Sequence, residues 1–154
     1  MGKNILALVL WVLVALAAGW IGSNFMPGEW YSSLAKPSWN PPSSVFAPVW
    51  TVLYILMGVA AWLVWCEVGF AGARVALSLF VIQLMLNSLW SYLFFGLQKP
   101  SVAFVEILIL WCAILATLVS FWKVRPGAGA LLIPYLCWVS FASALNYQLW
   151  SLNS

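Results

Sequence analysis

The chain has 154 residues, of which 66% are apolar and only 6% are charged: six Lys and Arg, three Glu, and neither His nor Asp. Water-soluble domains carry about 25% charged residues and disordered chains are poor in apolar residues, so the composition excludes both classes. Without His and Asp, the usual general bases, catalytic triads and metal sites are missing. The sequence therefore argues against conventional hydrolytic or metal-assisted catalysis.

The basic residues and the cysteines indicate no further chemistry. No two of the six basic side chains adjoin, so they form no patch for nucleic acid. Cys66, Cys112 and Cys137 lie singly in apolar runs, without a C-x-x-C pair, and are interpreted as small hydrophobic residues. We expect no required cofactor, no metal and no nucleic-acid partner.

Five long apolar segments follow one another along the chain. A bilayer core of about 30 Å needs roughly 20 apolar residues in a helix, and open strands cannot satisfy their backbone groups in lipid. The sequence predicts an all-α integral membrane protein, with one domain over residues 1–154. It is a bundle of five transmembrane helices with a long loop between helices 1 and 2. The approximate spans are 4–26, 45–67, 73–97, 101–124 and 130–152.

The first span follows Lys3 and resembles a signal peptide, but its apolar run is longer than the 7–15 residues typical of a leader, so we interpret it as a membrane span. It places Ala15, Gly19 and Ser23 at four-residue spacing. Such ladders of small residues allow helix backbones to approach closely. The ladder serves either packing within the bundle, which is the simpler interpretation, or a homodimer contact.

The loop after the first span is aromatic and stiff. It contains Trp30, Tyr31 and Trp39 together with three prolines that restrict its backbone. We expect this loop to cover one end of the bundle as a lid. Between spans 2 and 3 the sequence predicts a short turn at residues 69–72, flanked by solvated charged residues.

Polar and aromatic side chains converge beneath that loop. At about 1.5 Å of rise per residue, Trp50, Asn87, Trp138 and Asn146 lie between roughly 8 and 20 Å from the loop side. Trp and Tyr faces with a few amide donors suit a large, flat, apolar ligand. The amides serve equally well in hydrogen bonds between helices, so both interpretations stay open. The set comprises Trp50 and Tyr54 in span 2, Gln83, Asn87 and Trp90 in span 3, and Tyr135, Trp138, Ala142 and Asn146 in span 5.

The other tryptophans and the one carboxylate deep within a span have simpler interpretations. Glu106 is expected to reach the membrane interface or to pair with a polar partner, and a proton relay is the alternative. Tryptophans near span ends are interpreted as an interfacial belt, and mid-span ones as packing or lipid-facing residues. The belt comprises Trp62, Trp65, Trp122 and Trp150, and the mid-span pair is Trp11 and Trp111.

Loop charges favour a cytoplasmic N-terminus. Five spans put the termini on opposite sides, and the N-terminal side carries four basic residues against two on the side of the long loop. A bacterial cell membrane is the default location because no segment resembles a eukaryotic targeting signal. An outer membrane and an organelle membrane are the alternatives.

Four ordered motifs cover nearly the whole chain. They are WYSSLAKPSWNPP at 30–42, FAPVWTVLYILMG at 46–58, QLMLNSLWSYLFF at 83–95 and PYLCWVSFASALN at 134–146. In this order they resemble the first loop and helices 2, 3 and 5 of the TspO/MBR family. These are the tryptophan-rich sensory proteins, related to the mitochondrial translocator protein (the peripheral-type benzodiazepine receptor).

The resemblance implies a five-helix bundle, commonly homodimeric, that binds porphyrins such as protoporphyrin IX and haem and, in some members, sterols and benzodiazepine-type drugs. The family's sterol motif requires a basic residue after Tyr147, and none follows, so sterol recognition is not expected. The family's ligand pocket maps onto Trp30, Tyr31, Trp39, Trp50, Tyr54, Asn87, Trp90, Trp138, Ala142 and Asn146.

The resulting prediction is a membrane receptor or transporter-like binder of porphyrins, linked to tetrapyrrole transport, regulation or stress signalling. A light-dependent porphyrin-degrading protein is the first alternative, and no other enzymatic activity is expected. A proton-coupled small-molecule exporter is a further alternative, with Glu106 as its only candidate carboxylate within a span. A structural subunit of a larger membrane complex is the last.

Overall fold

Long helices make up most of the structure. The computed structural model describes residues 2–25 and 28–154; 86% of these residues are helical and none is in a strand. One of the helices, Arg74–Ser91, is followed directly by a single π-helical turn, Tyr92–Gly96. In chain order the helices are α1 (Gly2–Ser23), α2 (Glu29–Ser33), α3 (Ser43–Gly72), α4 (Arg74–Ser91), α5 (Pro100–Val124), α6 (Pro126–Ala130) and α7 (Ile133–Leu152).

Within residues 2–25 and 28–154, five segments are long and apolar enough to cross a membrane, which confirms the predicted all-α membrane fold. Their ends differ from the predicted ones by a few residues, most of all in the second span, because α3 continues beyond residue 67. The predicted end of the first span, residue 26, lies outside the described residues. The short α6 adds one turn before α7. The segments are Asn4–Ser23, Ser43–Gly72, Arg74–Gly96, Pro100–Val124 and Pro126–Leu152.

The turn predicted at residues 69–72 begins with a break in helical geometry at Gly69. Its φ of +67° and ψ of −175° are not helical and form a conformation that glycine adopts without steric cost, and α3 adds only a few residues after it, to Gly72. Glu67 near this bend is exposed, as predicted, and forms an ion pair of 3.9 Å with Arg125 from the connection between spans 4 and 5. Both connections therefore lie on the same side of the bundle, as five alternating spans require.

The small residues of α1 are used inside the bundle, where this helix packs against α3 and α4. Ala15 is fully buried, and a Cβ atom added to Gly19 would overlap the Tyr54 ring. α3 contacts α1 equally closely through a glycine of its own, since a Cβ atom at Gly58 of α3 would lie 2.5 Å from the Cα of Val12 of α1. Close packing of this kind stabilises helix pairs in lipid, where little hydrophobic driving force acts between them.

The half of the bundle away from the long loop is filled with side chains. Phe80 of α4 and Phe121 of α5 stack with ring centroids 5.8 Å apart, and Trp11 of α1 meets Phe80 edge-on at 6.0 Å. Val64 and Ile114 are fully buried in the same cluster. The open space in the bundle lies in the other half, which we call the loop side.

The long loop is fastened to the C-terminal end of α7. The Asn153 side chain donates from Nδ2 to the Ala35 carbonyl and accepts at Oδ1 from the Ala35 N–H, both at 2.9 Å. The same Nδ2 donates to the Leu149 carbonyl at 2.8 Å. From α2, Tyr31 packs edge-on against Phe95 at 5.7 Å. The loop thus covers the end of the bundle, and the C-terminus lies on that side.

Candidate ligand-binding site

A cavity of about 520 Å³ lies on the loop side, enclosed by the loop and by α1, α3, α4, α5 and α7. Its volume falls within the range of roughly 300–1,000 Å³ typical of ligand pockets, and its wall is predominantly aromatic and aliphatic. None of the described residues that line it is charged. Such a wall recognises a ligand by its shape and by contact with aromatic rings.

Seven of the ten predicted site residues line this cavity. Trp50 and Tyr54 of α3 stack with ring centroids 5.6 Å apart, and Trp138 of α7 stands perpendicular to Trp50 at 6.4 Å. Both arrangements are ones that aromatic quadrupoles favour. The seven residues are Tyr31, Trp50, Tyr54, Asn87, Trp90, Trp138 and Ala142.

Trp30 and Trp39 stand behind the wall. Trp30 packs edge-on against Phe94, and Trp39 packs edge-on against Phe141, each with centroids 5.6 Å apart. Both phenylalanines line the cavity. The two loop tryptophans therefore support lining side chains from outside.

Asn146 also lies behind the wall. It is buried, accepts a hydrogen bond of 2.9 Å from the Trp90 indole N–H, and donates one of 2.9 Å to the Pro100 carbonyl. The first bond fixes the orientation of the Trp90 ring, which lines the cavity, and the second joins α7 to the start of α5. Asn146 is thus placed to orient a wall residue.

A relay of hydrogen bonds joins α3, α4 and α7 at the inner end of the cavity. The Tyr54 hydroxyl donates to Oδ1 of Asn87, whose Nδ2 donates to the Tyr135 hydroxyl at 2.8 Å, and this hydroxyl donates to Oε1 of Gln83 at 2.7 Å. All four side chains are buried. Both amides thus serve hydrogen bonds between helices, and Asn87 and Tyr54 also reach the cavity.

Three buried groups correct or extend the expectations. Glu106 neither reaches the interface nor pairs: it is 6% exposed, and its carboxyl oxygens have no hydrogen-bond partner in the described structure. Glu106 does not line the cavity, so the structure gives no support to the alternative of an exporter that moves protons through the Glu106 carboxyl. Trp62 is not an interfacial residue of the expected kind, because its indole N–H is buried without an acceptor among the described residues. The N–H of Trp138 is in the same situation.

Two parts of the wall were not assigned from the sequence. The first is α1 with the bend that follows it: Gly19 and Trp20 lie on α1, and Phe25 lies just beyond its end. The second is the π-helical turn, in which the Leu97 N–H donates to the Tyr92 carbonyl at 2.8 Å. Through this turn, consecutive residues 94 and 95 both line the cavity. The ladder at Gly19 was the available signal for α1, because the missing side chain there makes room for the Tyr54 ring.

The outer end of the cavity carries a polar cluster on the loop. The Tyr31 hydroxyl donates to Oδ1 of Asn40 at 3.3 Å, and burial raises the pKa of Tyr31, so the phenol is neutral at physiological pH. The Lys36 ammonium lies 4.8 Å from the centre of the Tyr31 ring, a cation–π arrangement. The Lys36 ammonium thus lies beside a ring of the cavity wall.

The fold and the cavity define a class: a polytopic membrane protein with an aromatic ligand pocket covered by a loop. The TspO/MBR family matches residues 8–151. The chain is 48% identical to the tryptophan-rich protein TspO of Chlorobaculum tepidum, over 99% of both chains. It is 44% identical to the translocator protein of Homo sapiens, over 86% of this chain and 82% of that one. The chain belongs to the TspO/MBR family and is an integral, multi-pass membrane protein.

Proposed function

We propose that this protein binds porphyrins such as protoporphyrin IX and haem in the loop-side cavity. In this proposal it acts as a receptor or transporter-like protein in tetrapyrrole transport, regulation or stress signalling. The observation that carries the proposal is the cavity itself, in which Trp50, Trp90 and Trp138 surround about 520 Å³ of space. A porphyrin is a flat aromatic macrocycle, and such a body gains from stacked and edge-on contacts with indole rings.

The polar groups of the wall fit the same class of ligand. The Asn87 amide and the Tyr54 phenol occupy one end of the cavity, and no described lining residue is charged. The lining residues can orient a ligand and shield it from water, but they include no acid–base pair. Any chemistry would therefore come from the ligand. The porphyrin is the only bound group that the proposal requires.

Titration of the purified protein in neutral nanodiscs with protoporphyrin IX tests the proposal, with the porphyrin absorbance as the readout. We expect saturable binding that weakens about tenfold in Trp50→Leu, because a stacking surface of the wall is lost. Trp122→Leu is the matched control, since Trp122 lies on α5, is 46% exposed and does not line the cavity. Equal affinities of the two variants, or no saturable binding by the unmodified protein, would reject the proposal.

Light-dependent breakdown of a bound porphyrin is a second candidate. The observation that favours it is the pair of oxidisable indoles, Trp50 and Trp138, that meet at 6.4 Å in the wall. With light and dioxygen supplied, a photosensitising porphyrin held there would be oxidised next to both rings. Illumination of the complex should yield a bilin-like absorbing product faster than illumination of free porphyrin in detergent. Equal rates would exclude the activity.

We also propose that the protein forms a homodimer in a bacterial cell membrane. The α1 ladder is not free for this contact, because Ala15 is buried and Gly19 faces the Tyr54 ring. A dimer would use lipid-exposed side chains instead, such as Val105 and Ile109 of α5. Cross-linking in native membranes distinguishes the two surfaces: Val105→Arg should reduce the cross-linked dimer, whereas Ser23→Leu at the exposed end of the ladder should leave it unchanged.

A further inference from the structure

A second, shallower hollow of about 380 Å³ adjoins the outer end of the cavity. Tyr31, Ser32 and Ser43 line both spaces, so the two spaces are neighbours that meet at these side chains. Lys36 and Asn40 line only the hollow. The apolar cavity thus ends at a polar site that carries one cation.

The Lys36 ammonium is held in place over this hollow. Its Nζ donates to the Leu34 carbonyl at 3.1 Å and to the Ser32 carbonyl at 3.4 Å, and it lies over the Tyr31 ring. An ammonium group has three donors, and these two carbonyls use two of them. The side chain is partly buried and forms no ion pair within the part of the chain that the structure describes.

We propose that Lys36, with the hydroxyls of Ser32 and Ser43, forms a subsite that binds a carboxylate of the cavity's ligand. The ligand class is then an amphipathic one, with a flat aromatic body between the tryptophans and an acidic group at the loop. The third donor of the ammonium and the two hydroxyls supply the hydrogen bonds. Hydrogen bonds to a charged acceptor are the stronger ones.

This inference rests on the proposed porphyrin binding and identifies the carboxylate as the group of the porphyrin that Lys36 recognises. Protoporphyrin IX carries two carboxylates, whereas its dimethyl ester has the same ring and no charge. Comparison of the two in neutral phosphatidylcholine nanodiscs isolates the carboxylate. We expect Lys36→Gln to weaken binding of the diacid about tenfold, which corresponds to about 1.4 kcal/mol, and to leave the ester unaffected.

Two variants control this experiment. Lys99→Gln removes the same charge on the same side of the bundle from a residue that lines neither space, and should leave diacid binding unchanged. Lys36→Arg retains the charge and should retain most of the affinity, which shows that the loop tolerates replacement at this position. A similar loss in Lys99→Gln would instead indicate a general surface-charge effect and overturn the proposal.

An anionic lipid headgroup offers a phosphate to the same donors, and the experiment separates it from a ligand carboxylate. If Lys36→Gln weakens diacid binding only in nanodiscs that contain anionic lipid, Lys36 binds the headgroup and the subsite is rejected. Equal losses for the diacid and the ester, or no loss for either, also reject it while porphyrin binding stands. If the unmodified protein binds neither porphyrin, the proposed function fails and this inference fails with it.

Discussion

The two hydrogen bonds between the Asn153 side chain and the Ala35 backbone lead to a specific prediction about the long loop. Asn153→Ala removes both hydrogen bonds, each 2.9 Å long, that tie the loop to the C-terminal end of α7. A typical hydrogen bond contributes about 1 kcal/mol net, so the closed loop should lose about 2 kcal/mol. That loss raises the population of the open loop by a factor of up to about 30.

Hydrogen exchange measures this loss without any ligand. The Ala35 N–H is itself one of the donors, so its exchange should accelerate by the same factor of up to about 30 in Asn153→Ala. Asn153→Asp keeps an acceptor for this N–H but loses the donor to the Ala35 carbonyl. Its exchange rate at Ala35 should therefore lie between those of the unmodified protein and Asn153→Ala. Ser154→Ala is the matched control, because the Ser154 hydroxyl bonds only to the Ser151 carbonyl nearby. Unchanged exchange at Ala35 in Asn153→Ala would refute the reasoning.

Two other substitutions test the packing of the spans. Gly58→Val should lower the thermal unfolding temperature by destabilising the bundle about 1–3 kcal/mol, because the new side chain meets the Val12 backbone at 2.5 Å. Gly127→Ala is the control: no atom lies within 4 Å of the added carbon, so the unfolding temperature should stay unchanged within error. Equal unfolding temperatures for Gly58→Val and Gly127→Ala would contradict the close contact at Gly58. Glu106→Leu should raise the unfolding temperature, because it replaces a buried carboxyl that has no partner among the described residues. Porphyrin affinity should not change, since residue 106 does not line the cavity, and a lower unfolding temperature would show that the carboxyl has a stabilising partner.

The sequence predicted the parts of the site that polar residues mark. Asn87 and Tyr54 could be placed together because a polar side chain within a span must face the protein interior, and helical spacing gives the face. Hydrogen bonds between helices were one of the two interpretations of Asn87 and Gln83, and both amides bond to the Tyr135 hydroxyl of α7. The number of spans likewise followed from hydropathy alone.

The parts of the site without such marks could not be predicted. Between Asn4 and Ile21 the first span is apolar around its whole circumference, so only the ladder of small residues at Gly19 gave a signal for the face that meets the cavity. The sequence also did not show which aromatic residues line the cavity and which support it from behind: Trp30 and Trp50 were both predicted to line it, but only Trp50 does. The break at Gly69 had a signal in the glycine, whereas the few helical residues that follow it to Gly72 had none.

The scarcity of charge in the spans has an electrical consequence. Among the described residues, Glu106 is the only Asp, Glu, Lys or Arg whose side chain is buried within a span. Moving one elementary charge through a membrane potential of 100 mV is worth about 2.3 kcal/mol, and a rearrangement of these helices carries at most that single carboxyl. The protein's own conformations should therefore be nearly independent of voltage. With an acidic ligand, any dependence of uptake on membrane potential would come from the charge of the cargo.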